Sequence, residues 1–150
     1  MREPNRLVEV RERFEASPFH RSFFGMSLER VAEGEVDVAL QVEDRHRNLL
    51  GIVHGGVIAT LADTATGLAY RTVLEPGTAH VTTQLSVTYL APGRAGRILA
   101  RGRVIKRGRR IGYAEADVQD EEGALLARAT ALFAIVPQER PGGASPSGDQ

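Results

Sequence analysis

Residues 54–70 read His54-Gly55-Gly56-Val57-Ile58-Ala59-Thr60-Leu61-Ala62-Asp63-Thr64-Ala65-Thr66-Gly67-Leu68-Ala69-Tyr70. Val57, Ile58, Leu61, Ala62, Ala65, Leu68 and Ala69 recur at helical spacing and predict one long helix with an apolar face. Glu75-Pro76-Gly77 closes it. The opposite face is unusual. At about 100° per residue, Asp63 falls about 240° from Val57, in the company of Gly56, Ala59, Thr60 and Gly67. A helix face in water normally carries Lys, Glu and Arg, yet Asp63 is the only charged residue from Gly55 to Tyr70. Gly67 inside a helix costs about 1 kcal/mol against alanine, so a close approach is needed to offset it. We read this second face as covered too, by another subunit, a substrate or both.

Outward from the helix the periodicity changes to two. Upstream, Met26 to Ala32 reads as a strand. Val36, Val38, Leu40 and Val42 then alternate with polar or small residues, and Gly34 marks the turn between. Downstream, His80 to Leu90, Arg97 to Lys106, Ile111 to Asp120 and Ala124 to Val136 are four more strands. The short breaks at Ala91-Pro92-Gly93, Lys106 to Arg110, and Asp120 to Gly123 read as antiparallel hairpin turns. A sheet of this width must cover its apolar face, and one helix is available to do so. The expected class is α+β: an antiparallel sheet wrapped around one long central helix, the hotdog architecture.

Residues 1–24 are expected to form an N-terminal helix and lid, with a short helix over Leu7 to Phe14 stopped by Ser17-Pro18. Phe19, Phe23 and Phe24 are expected to pack over the main domain, 25–137. Residues 138–150 are rich in Pro, Gly, Ser and charge and predict a disordered tail. Nineteen basic residues balance nineteen acidic ones, so no global field favours nucleic acid or an anionic membrane. Without cysteine there are no disulfides, thiolate metal sites or cysteine nucleophile. No apolar run approaches the roughly 20 residues of a membrane span, and the charged N-terminus lacks a signal peptide's apolar centre. The expected location is cytoplasmic. His20, His46, His54 and His80 show no metal-ligand spacing, and neither a metal nor another cofactor is expected.

The chemistry gathers at the helix start. Helix N-termini expose unpaired N–H groups and about half a positive charge. Gly51, Gly55 and Gly56 around His54 let a carbonyl oxygen approach them, which makes a candidate oxyanion site for acyl transfer. Gly55 and Asp63 are eight residues apart in the sequence. On a helix that is roughly 12 Å, too far for both to serve one carbonyl. If they cooperate, two copies of the chain must bring their helices together.

The run Asn48-Leu49-Leu50-Gly51-Ile52-Val53-His54-Gly55-Gly56, followed by Thr60-Leu61-Ala62-Asp63, resembles the hotdog thioesterases of the phenylacetate-pathway (PaaI) type, within the 4-hydroxybenzoyl-CoA thioesterase-like superfamily. The likeness runs from about residue 25 to residue 136 and includes Val81-Thr82, Val87-Thr88-Tyr89-Leu90-Ala91-Pro92 and Lys106-Arg107-Gly108-Arg109. The resemblance implies hydrolysis of acyl-CoA thioesters. It implies that Asn48 holds the thioester or the attacking water, that the Gly55 N–H polarises the carbonyl, and that His54 chiefly fixes the loop. It implies that Asp63 is nucleophile or general base and that Thr82 positions water. Asp63 and Thr82 would come from one subunit, Asn48 and Gly55 from the other, in homodimers that assemble into homotetramers. Gly56 is a further substrate-binding candidate. Lys106, Arg107, Arg109 and Arg110 form a basic turn suited to the phosphates of coenzyme A, with Arg94 and Arg97 as similar candidates. Thr82 also alternates with Gln84, Ser86 and Thr88 on what period two makes a single polar face. The alternative to an enzyme is a hotdog module that binds acyl-CoA without turning it over.

Overall fold

A computed structural model of the chain describes residues 5–139. Two helices frame the fold: α1 (Arg6–Glu15) and the long α2 (Gly55–Arg71). Six strands follow the expected order: β1 (Met26–Ala32) and β2 (Glu35–Gln41) before α2, then β3 (Thr78–Tyr89), β4 (Arg97–Arg107), β5 (Ile111–Gln119) and β6 (Leu125–Pro137). All pairings are antiparallel and the sheet runs β1-β2-β4-β5-β6-β3. With α2 laid across it, this is the hotdog arrangement. The expected tail lies largely outside the described residues, from 140 onward; Gln138 still donates its N–H to the Gly77 carbonyl (2.9 Å).

One expectation fails. Ala91-Pro92-Gly93 does not close a β3–β4 hairpin. Strand β3 pairs with β6 and occupies an edge, while β4 lies in the middle of the sheet beside β2. The connection from Leu90 to Gly96 is therefore a crossing. The N–H groups of Leu90 and Ala91 both donate to the Leu126 carbonyl (2.8 and 3.2 Å), and the Gly93 carbonyl accepts from Val53 (2.8 Å) just ahead of α2. Those backbone bonds replace the ladder a hairpin would have formed.

Helix α2 packs through Val57, Ile58, Leu61, Ala62, Ala65 and Ala69 onto Val36, Val38, Leu40, Ile98, Ala100, Ala116 and Val118. The approach is close at Gly102 of β4, where an added Cβ would strike the Ala65 carbonyl and come within 2.8 Å of the Thr66 nitrogen. Both ends of the helix are tied down. At its C-terminus the Thr72 hydroxyl accepts the N–H of Gly34 (2.7 Å), and Arg71 pairs with Glu9 of α1 (3.0 Å). At its start the His54 N–H donates to the His46 carbonyl (2.8 Å), and the buried His46 ring bonds the Phe24 carbonyl through Nε2 (2.9 Å). Residues 19–23 form a single π-helical turn. Phe24 packs against the core, but Phe19 and Phe23 are 49% and 67% exposed, so the segment covers less of the domain than its three rings suggest.

His80, at the start of β3, is wedged against Tyr70 and Phe133. Burial and the nearby Arg71 guanidinium push its pKa down to about 4, against the Gly67 carbonyl, which raises it. The unfolded chain takes up a proton on this ring near pH 6.5 and the folded chain only near 4. Between those values unfolding binds a proton, so acid favours it. We expect stability to urea to be level on this account above about pH 6.5 and to fall by up to about 3 kcal/mol as pH drops towards 4. Denaturation midpoints of wild type and His80→Gln, compared across that range, isolate the contribution. The variant should show the shallower slope; equal slopes would mean His80 titrates normally.

Candidate active site

The buried surface of α2 is broad: Thr64, Thr66 and Tyr70 are covered as well as the apolar residues. Among the residues left uncovered, Gly56, Thr60, Asp63 and Gly67 form a stripe at steps of four, three and four residues, exposed or half-exposed in the single chain. Asp63 makes no ion pair among the described residues. Its Oδ1 accepts the hydroxyl of Thr82 on β3 (3.0 Å). One carboxylate oxygen is thus held by Thr82, and the other accepts no hydrogen bond among the described residues.

Period two alone would not put Thr82 there. In the β3–β6 ladder Thr82 opposes Phe133 and Gln84 opposes Leu132, leaving Thr83 as an extra, bulged residue. Opposed residues share a face, and Phe133 is buried under the helix. The bulge therefore turns His80 and Thr82 inward and, beyond it, Leu85, Val87 and Tyr89, while Gln84, Ser86 and Thr88 face the other side. The single polar face expected for Thr82, Gln84, Ser86 and Thr88 does not exist. Nothing in Thr82-Thr83-Gln84 signals a bulge; no glycine or proline stands nearby.

The second cluster is the start of α2. His54 is the N-cap, with φ −60° and ψ 135°, and its Nδ1 accepts the N–H of Gly56 (2.8 Å). A Cβ at Gly56 would lie 2.9 Å from that nitrogen, so the glycine makes room for the cap. The Gly56 amide is therefore used within the loop. Among the described residues nothing accepts the N–H of Gly55, which lies at the positive end of the helix dipole. Asn48 folds its loop through Oδ1, which accepts the N–H groups of Leu50 (2.9 Å) and Ile52 (3.3 Å). Asn48 and His54 line one open cleft with Arg47, Leu49 and Leu50, the last two being 106% and 82% exposed. Tyr89, which sequence reasoning assigned no role, donates its hydroxyl to the Gly55 carbonyl (2.6 Å).

The two clusters do not meet within one chain. Asp63 with Thr82 lies two turns along α2 from Gly55, His54 and Asn48. The basic turn stands elsewhere again, at the far end of α2. There Arg107, Gly108 and Arg109 join Tyr70, Leu74 and Glu75 around a cavity of about 280 Å³, and Arg107 is paired with Glu75. Lys106, Arg109 and Arg110 are exposed. Arg97 pairs with Glu29 (2.7 Å), and the Arg94 carbonyl accepts from Arg47. Among the described residues no cluster of acidic and histidine side chains is placed to hold a metal, and no helix is long and apolar enough to cross a membrane.

Known proteins share this architecture. A crystal structure of a thioesterase from Haemophilus influenzae superimposes with a TM-score of 0.78 at 26% identity, covering 87% of this chain and 90% of that one. A Streptococcus mutans protein solved bound to acetyl-CoA gives 0.70 at 29% identity, covering 77% of this chain and 91% of that one. Human acyl-coenzyme A thioesterase 13 is 30% identical over 115 residues, 75% of this chain and 81% of the relative. Fold and relatives together define a hotdog-fold thioester hydrolase. The model of the thioesterase superfamily matches residues 50–127, which hold α2 and the motif that opens it, and the chain belongs to that family.

Proposed function

We propose that the protein hydrolyses acyl-CoA thioesters to the free acid and coenzyme A, at a site shared between two copies of the chain. The observation that carries this reading is Asp63, alone among charges on an uncovered helix stripe and held by Thr82 at 3.0 Å. From one copy, the Gly55 N–H and the helix dipole polarise the thioester carbonyl, and Asn48 and His54 wall the cleft beside it. From the other, the free oxygen of Asp63 faces the carbonyl carbon. Either it takes a proton from water as the water attacks, or it attacks itself to form a mixed anhydride that water then opens. In both routes the electron pair of the broken C–S bond leaves on sulfur and the thiol is released. Gly56 contributes by its small size. Lys106, Arg109 and Arg110, with Arg107 beside Glu75, suit the nucleotide phosphates.

The unpaired side of β3 supports the assembly. It is a 12-residue edge strand with Val81 54% exposed, and edges of that length are ordinarily paired or covered. A second copy can cover both this edge and the open stripe of α2, as a homodimer that builds a homotetramer working in the cytoplasm. The test is thiol release over a panel of acyl-CoA esters, aromatic to long-chain, by wild type and Asp63→Ala. Turnover lost in the variant supports the reading. Binding of the panel by wild type with no thiol released would make the protein a carrier or sensor and overturn it.

A further inference from the structure

Two glycines in a row are the most freely rotating backbone a chain can offer. The polarising end of the site needs the opposite, a donor already aimed before the substrate arrives. The Gly55 carbonyl and the Gly56 N–H belong to a single peptide unit, and that unit is gripped at both ends. The Tyr89 hydroxyl donates to its oxygen (2.6 Å), and its N–H donates to His54 Nδ1 (2.8 Å). The Tyr89 ring lies over Gly55 so closely that a Cβ there would sit 3.3 Å from Cζ and the hydroxyl. Hydrogen bonds in such a chain polarise one another, so a donor on the carbonyl strengthens the N–H beyond it. A nitrogen that accepts cannot carry the proton, which in a neutral His54 ring leaves the proton on Nε2.

We propose that Tyr89 is a positioning residue: through the Gly55–Gly56 peptide it holds the helix start in register and fixes the tautomer of His54. The inference rests on the reading above, in which the Gly55 N–H serves the carbonyl and His54 walls the cleft beside it. It also gives β3 a double task. Because of the bulge at Thr83, the strand turns Thr82 to Asp63 near one end and Tyr89 to Gly55 at the other. Edge strand and helix together set both halves of the chemistry.

Tyr89→Phe removes the hydroxyl and keeps the ring. Thiol release should show kcat lowered about 10-fold, the worth of one well-placed hydrogen bond, with KM changed less than about twofold. Imidazole ¹⁵N spectra, with His54 assigned by its loss in His54→Gln, should show a predominantly Nε2–H ring in wild type and a mixture of tautomers in Tyr89→Phe. Unchanged kcat, or a change in KM alone, would overturn the proposal. So would an unaltered His54 tautomer, whatever happens to the rate. If wild type released no thiol from any ester, the enzymatic reading would fail while the spectra still decided the clamp.

Discussion

Asp63→Asn loses at least about 100-fold in turnover and leaves folding and assembly as in wild type. The asparagine has the same shape, and its oxygen can still accept the Thr82 hydroxyl, so the geometry at 3.0 Å survives. What disappears is basicity. A positioned acid or base contributes about 10² to 10⁴ in rate, and an amide can neither take a proton from water nor form an anhydride. The side chain is half-exposed and makes no ion pair among the described residues, so little stability rests on its charge. Thiol release and thermal unfolding, measured on the same preparation, check both halves. Turnover equal to wild type would remove Asp63 from the mechanism.

Gly55→Pro should lower turnover by about 10² to 10³, the cost of deleting one oxyanion donor. Proline removes the N–H and is well suited to the first position of a helix. The residue before a proline must be extended, and His54 already is, at φ −60° and ψ 135°. No acceptor among the described residues loses a partner when this N–H goes. The tight neighbour is the half-exposed Tyr89 ring, 3.3 Å from where a Cβ at position 55 would sit, and it can give by a few tenths of an ångström. Gly55→Ala crowds the same ring but keeps the donor, and should retain far more activity. Equal losses in the two variants would mean that space, not the N–H, is what Gly55 supplies.

The helix was legible because its two faces break different rules. Apolar residues at 57, 58, 61, 62, 65 and 69 fit a covered face, and Asp63 stood alone where a wet face would carry several charges. The strands were legible from alternation, and β2 buries Val36, Val38 and Leu40 as period two requires. Strand order was not, because a hairpin and a crossing can begin with the same Pro92-Gly93. The bulge at Thr83 was not, because it is set by pairing with β6 rather than by local residues. Nor were the roles of Tyr89 and His46, whose hydrogen bonds reach 34 and 22 residues along the chain to backbone carbonyls. Side chain-to-backbone bonds of that span leave no periodic trace. The separation of Asp63 from Gly55 was legible from helix rise alone, and on the proposed mechanism it is the feature that calls for a second chain.

Mixed assemblies test that last point directly. Chains carrying Asp63→Asn and chains carrying Gly55→Pro, given different affinity tags and co-expressed, can be purified as hybrids. If each site draws its carboxylate from one chain and its N–H from the other, a hybrid dimer rebuilds one intact site of two and recovers about half the wild-type turnover, although each parent is nearly inactive. Hybrids as inactive as their parents would show that both groups must come from the same chain, and the shared site would be wrong.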